Sequence, residues 1–138
     1  MLRVVVDTDF YISCILHPQF KARRCLAIEI DQQVLLFDLE LAKELANVLD
    51  RPFIARGRGE EVANEIVGEL FEKAKMVWTT SRVQACRDPN DDFLLALALD
   101  GSADLIITGD NDLLALHPWR GVAIVTPADA LALLAPTL

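Results

Sequence analysis

"DPNDDFLLALALDGSADLIITGDNDLLAL", Asp88 to Leu116, reads as one structural unit. Asp88 before Pro89 is a helix cap followed by proline at the first helical position. The apolar run Phe93 to Leu99 extends this helix to about Asp100, where Gly101 is expected to stop it. "ADLIIT" (Ala103–Thr108) then reads as a buried strand. Asp110 and Asp112 follow it before the chain turns apolar again.

The same alternation continues outward. "LRVVVD" near the start is a continuous buried strand, and a helical stretch begins near Lys21. "VLLF" (Val34–Phe37) is a second strand. Asp38 can cap the helix after it, whose apolar positions Leu41, Leu45, Val48 and Leu49 follow the helical period, and Pro52 is expected to end it. Glu60 to Lys75 carries Val62, Ile66, Leu70 and Ala74 at intervals of four, and "MVWT" (Met76–Thr79) is a short strand. "VAIV" (Val122–Val125) is the last strand, and Thr126-Pro127 opens a C-terminal helix. Strands alternating with helices imply an α/β fold: three α/β/α layers around a mainly parallel sheet of four or five strands. Without an internal linker, repeat or low-complexity segment, residues 1–138 are expected to form a single domain.

Composition sets the bounds. Hydrophobic residues make up 53% of the chain, which argues against disorder. No apolar run approaches the roughly 18 residues of a membrane span, and "MLRVVVDTD" lacks the basic leader of a signal peptide. Cys14, Cys25 and Cys86 are scattered and odd in number, and His17 and His117 are the only histidines, so neither a zinc site nor a disulfide framework is expected. Reduced, buried thiols in a cytoplasmic protein are the reading taken. The net charge of −8 argues against nucleic acid as a partner. The distribution qualifies that veto: Asp88 to Asp112 holds seven acids and no Lys or Arg, and a bound cation reverses the sign of such a pocket.

The α/β order gives the acids an address, because ligands bind at the carboxyl ends of strands in open sheets of this kind. Asp7 and Asp9 follow the first strand, and Asp38, Glu40 and Glu44 the second. Asp91 and Asp92 open a helix, and Asp110 and Asp112 follow the fourth strand. Two carboxylates about 4 Å apart at an effective dielectric of about 20 repel by roughly 4 kcal/mol. Protons or a divalent cation must compensate for such a gathering. Oxygen-only ligands suit Mg²⁺ or Mn²⁺, whose chemistry is phosphoryl transfer or phosphodiester hydrolysis. Plainer roles compete. Asp38 and Asp88 fit helix caps, Asp112 is equally a cap for "LLAL", Asp100 and Asp104 read as solvated, and Glu40, Glu60, Glu61, Glu65, Glu69 and Glu72 read as exposed helix faces.

"VVVDTDFYISCIL" (Val4–Leu16) resembles the opening of PIN-domain nucleases. "ELANVLDRPF" (Glu44–Phe53) is similar to the segment that carries the family's glutamate, and the Arg87–Leu116 stretch resembles its C-terminal signature. Within the family, the toxins of bacterial and archaeal toxin–antitoxin pairs look closest. The resemblance implies a Mg²⁺-dependent endoribonuclease with Asp7, Glu44, Asp91 and Asp110 as catalytic metal ligands and Asp112 as an auxiliary contact. It implies that Ser13 and Thr108 orient the acids, that an antitoxin protein is a partner, and that the chain forms a homodimer through the segments from about Cys14 to Ile30. Asp9 stands where the family usually has Asn, which adds an anion to the pocket. Local geometry leaves Asp91 and Asp92 equal. The resemblance favours Asp91 as ligand and leaves Asp92 as a helix-start charge.

Arg23, Arg24 and Arg51, with Arg56 or Arg58, are candidates to track an RNA backbone, although each alone reads as a solvated charge. Other classes fit less well. A response-regulator receiver needs a lysine near its last strand, and none follows Lys75. A haloacid-dehalogenase-like phosphatase matches Asp7-Thr8-Asp9, but Tyr11 stands where Thr or Val is required. A PIN-like module that binds RNA or a partner without cutting remains as the alternative outside enzymology.

Overall fold

The computed structural model describes residues 1–17, 20–51 and 59–135. Pro52, Arg56 and Arg58 lie outside them. The chain runs β1 (Arg3–Val6), α1 (Thr8–Leu16), α2 (Lys21–Asp31), β2 (Val34–Phe37), α3 (Leu39–Leu49), α4 (Gly59–Lys73) and β3 (Lys75–Met76). A 3₁₀ turn (Pro89–Asp91), α5 (Asp92–Asp100), β4 (Leu105–Ile107), α6 (Asn111–Leu114), β5 (Ala123–Val125) and α7 (Pro127–Leu134) complete it.

The five strands form one parallel sheet in the order β3-β2-β1-β4-β5. β1 is central, and its register on β4 pairs Val4 with Leu105, Val5 with Ile106 and Val6 with Ile107. Val4, Val5, Val6, Ile106 and Ile107 are all fully buried. A central strand covered by helices on both faces has no polar side, so its residues are continuously apolar rather than alternating. α3 shows the other pattern: Leu41, Leu45 and Val48 form its buried stripe while Glu40 and Lys43 face solvent. The chain order reverses between β1 and β4, so the carboxyl ends of these two strands flank the switch point where such sheets bind ligands.

Several boundaries depart from the sequence reading, each for a local reason. The expected strand Met76–Thr79 is only Lys75–Met76, and Trp78 is 91% exposed. The residues beyond give their polar groups to side chains. The Thr79 hydroxyl donates to Asp38, and the Thr80 and Ser81 amides donate to Asp100 Oδ2 at 2.6 and 2.8 Å. The Ser81 hydroxyl also donates to Asp100, so this is not a solvated charge, and that hydroxyl, followed by the two amides, holds its carboxyl below the usual range. Asp104 is not free either, since its Oδ2 accepts from the Arg3 amide at 2.8 Å. The helix expected from Pro89 begins as a 3₁₀ turn, in which Asp88 accepts from the Asn90 amide at 3.0 Å. The three cysteines are free and half-buried rather than buried, and Cys14 and Cys86 pack against the edge of the core.

Gly101 ends α5 for a different reason from the one expected. Its φ is −86°, and the left-handed position belongs to Ser102, at 53°. What Gly101 supplies is space: a Cβ there would lie 2.8 Å from Leu36 Cδ1 and 3.0 Å from the Leu97 carbonyl oxygen. Leu36 is fully buried and has little room to yield. Gly101→Ala should therefore destabilise the protein by about 1–3 kcal/mol through overpacking. Gly68, in α4, meets nothing within 4 Å. Gly68→Ala should stabilise by about 0.5–1 kcal/mol, because it relieves the entropy cost of a helical glycine. Urea denaturation of both variants checks the opposite signs.

Candidate active site

Asp7 leaves β1 at the switch point. Its amide continues the pairing with β4 by donating to the Ile107 carbonyl at 2.9 Å. It occupies the N-cap position of α1, yet its side chain makes no capping bond. Asp7 Oδ2 accepts instead from the Thr108 hydroxyl at 2.8 Å, and Thr108 Oγ1 in turn accepts from the Asp110 amide at 3.0 Å. One buried threonine thus ties the acid after β1 to the acid after β4. Asp110 also caps α6, with Oδ1 accepting from the Asp112 amide at 2.8 Å, so the capping role open for Asp112 belongs to Asp110.

Asp9 lies in the first turn of α1. Its Oδ2 accepts from the Gly109 amide at 3.1 Å, and a Cβ on Gly109 would sit 2.9 Å from that oxygen. Glu44 reaches in from α3, and Oε1 accepts from the Thr8 hydroxyl at 3.3 Å. The sequence reading gives neither Thr8 nor Gly109 a role in orienting the acids. The available signals were a polar residue directly after the strand-ending acid and the glycine inside "TGD".

Asp91 and Asp92 diverge as adjacent helical residues must. Asp92 is buried, and its Oδ1 accepts from the amides of Ala85 and Cys86 at 3.1 and 2.7 Å. It holds the approaching chain against the start of α5, a larger task than the helix-start charge expected. Asp91 turns toward Asp110 and stands within electrostatic reach of Asp7.

The titration of these groups records the crowding. Burial, then the charges of Asp9 and Glu44, push Asp7 up to about 6, against the opposing Thr108 hydrogen bond. Burial raises Asp9, and the charge of Asp110 adds to it. Burial also raises Glu44, with Asp9 adding and Arg51 opposing. Asp91 goes up to about 7 through desolvation and the adjoining Asp110 carboxyl, which favours a proton held between them. Asp7, Asp9, Glu44, Asp91 and Asp110 are therefore one mutually repelling set. Neither ion pair among the described residues, Lys43–Glu40 or Lys73–Asp31, draws on it.

Other candidates stand apart. The Ser13 hydroxyl accepts from Arg23 Nε and, among the described residues, makes no hydrogen bond to an acid; its own O–H remains free to donate. Arg24 and Arg51 are exposed. Among the described residues, no three His, Cys, Asp or Glu side chains stand close enough to hold an ion together. The donor set still suits a hard divalent cation, being all oxygen and short of positive charge. Mg²⁺ keeps several waters and needs only one or two direct carboxylates.

The PIN-domain family model matches residues 3–112, a span that takes in every acid of this set, and the chain belongs to that family. Its fold is a nuclease fold, commonly that of metal-dependent ribonucleases. No curated protein matches the chain. Among the described residues, no helix is long and apolar enough to cross a membrane.

The raised Asp7 makes a prediction for the metal-free protein. With a folded value of about 6 against 3.8, the native state holds a proton that the unfolded chain releases. The resulting stability is complete below about pH 3.8 and is lost as pH rises through about 6. Asp7→Asn should remove this loss, on the order of 2–3 kcal/mol, and be the more stable protein at pH 7 in EDTA. Equal melting profiles for the two proteins between pH 4 and about 7.5 would contradict the assignment.

Proposed function

We propose that the chain is a single-domain, Mg²⁺- or Mn²⁺-dependent endoribonuclease and the toxin of a toxin–antitoxin pair. The observation that carries the reading is the self-repelling set of acids at the β1/β4 switch point. Asp7, Glu44, Asp91 and Asp110 would hold the cation, directly or through its waters, with Asp112 as an auxiliary contact. When bound, the cation neutralises their charge and supports water attack in line on an RNA phosphodiester. Thr108 fixes Asp7 and the backbone at Asp110, Thr8 steadies Glu44, and the Gly109 amide steadies Asp9. Arg51 lies close enough to Glu44 to meet an RNA strand entering the cleft, and Arg24 offers a further backbone contact on α2. The antitoxin is a small DNA-binding protein encoded beside this chain, and inspection of the neighbouring reading frame tests that part.

Single-turnover cleavage of RNA at saturating Mg²⁺ tests the chemistry. Asp91→Asn should lose activity by orders of magnitude while keeping its fold. Asp92→Asn should lose little, because an amide oxygen still accepts from Ala85 and Cys86. The reverse order would move the site by one residue, and RNA binding without cleavage in the wild type would leave a non-catalytic module. Mg²⁺ should also raise the melting temperature, by the equivalent of about 2.7 kcal/mol at about 100 times its Kd. EDTA should reverse the gain, and Asp7→Asn should respond less.

The homodimer reading draws on three apolar side chains of the α1–α2 region: Leu16, Phe20 and Ile28 are 42%, 44% and 62% exposed. Burying them between two copies removes apolar surface from water. Light scattering at micromolar concentration should give a dimer, and Ile28→Glu should shift it toward monomer. A wild-type chain that scatters only as monomer removes this part of the reading.

A further inference from the structure

A cavity of about 340 Å³ opens beside the acid set, lined among others by Asp9, Phe10, Arg23, Leu26, Pro127 and Leu131. It lies among α1, α2 and α7, and α2 packs directly on α7. Asp9 belongs both to this lining and to the repelling carboxyl groups, so an occupant of the cavity is a neighbour of whatever the acids hold. Arg23 is fixed on two sides: Nε donates to Ser13 Oγ, and Cζ stands 4.6 Å from the centre of the Phe20 ring. Among the described residues, its two terminal amino groups carry no hydrogen bond. A guanidinium anchored through Nε and stacked on a ring keeps its outer donors in a fixed fork, the geometry that matches phosphate.

The geometry points to a nucleotide subsite next to the cleavage position: Arg23 takes the phosphate flanking the scissile one, and the slot walled by Pro127, Ala128 and Leu131, floored by the buried Phe10 and Leu26, takes that nucleotide's base. This inference rests on the ribonuclease reading above. The charges space the phosphates along the strand. The acids accept the scissile phosphate only through the cation they would hold, and Arg23 attracts the next one directly at its own position. The apolar walls between them suit the face of an unpaired base, which packs on such surfaces with little regard to its identity. Ser13 then acts as a positioning residue for Arg23, which accounts for its absence from the acid network.

Two variants and one modified substrate test the subsite. RNA affinity is measured by fluorescence anisotropy in EDTA, cleavage in Mg²⁺, and folding by thermal melts. Arg23→Gln should weaken binding roughly tenfold and raise KM with kcat nearly unchanged. It should also lower the slope of log affinity against log salt by about 0.7, the loss of one phosphate contact on a single strand. An abasic nucleotide next to the cut should raise KM for the wild type. Leu131→Trp, which fills the slot, should bind the intact and abasic strands equally. If the wild type cuts RNA and both variants bind and cut as it does, the subsite is overturned and the nuclease reading stands. If the wild type binds RNA in an Arg23-dependent way without cutting it, Arg23 and the slot stand as an RNA contact, while the nuclease reading and the subsite's place beside a cut fall. If the wild type neither binds nor cuts RNA, both are overturned.

Discussion

Like charges at the ends of two adjacent strands are the constraint around which this protein is arranged. β1 and β4 pair in register, so the residues that follow them cannot separate without breaking the centre of the sheet. Asp7 and Asp110 are held together by the same backbone bonds that make the core. Thr108 lies between them, fully buried, donating to one carboxylate and accepting from the other residue's amide. The hydroxyl suits this position because one oxygen can serve as donor and acceptor at once. A valine of the same shape would leave a buried carboxylate oxygen and an amide unpaired.

The acids divide by what their oxygens bind. Asp38 accepts from the Leu41 amide and the Thr79 hydroxyl, Asp92 from two amides, Asp100 from the 80–81 segment and Asp104 from the start of β1. These carboxylates join segments of chain that have no shared secondary structure. Asp7, Asp9, Glu44 and Asp91 differ from these in that burial, with neighbouring carboxylates adding to it, raises their titration.

The sheet and most helices were legible in the sequence because their signals are local. The apolar runs at Val4–Val6, Val34–Phe37 and Leu105–Ile107 mark buried strands, and the caps at Asp38 and Thr126 mark helix starts. The acids of the cleft were legible as a set because each ends or follows such a signal. Partners distant in sequence were not. Nothing near Asp100 announces that it binds Thr80 and Ser81, and nothing near Ser13 announces Arg23 as its donor. Neighbours such as Asp91 and Asp92 can be separated only by what surrounds each in space. The role of Gly101 was hidden for the same reason, since Leu36, the side chain it makes room for, is remote in the chain.

The β3 edge of the sheet carries a consequence for association. β3 spans two residues, and the chain leaving it commits the Thr80 and Ser81 amides to Asp100. An open edge recruits a neighbouring strand through a row of unpaired amides and carbonyls, and a shortened edge with its following amides already engaged presents little of that row. This flank of the molecule resists the strand-to-strand stacking that leads to fibrils. At this flank other molecules are left to meet the protein through side chains, where shape and charge select the partner more strictly than backbone pairing does.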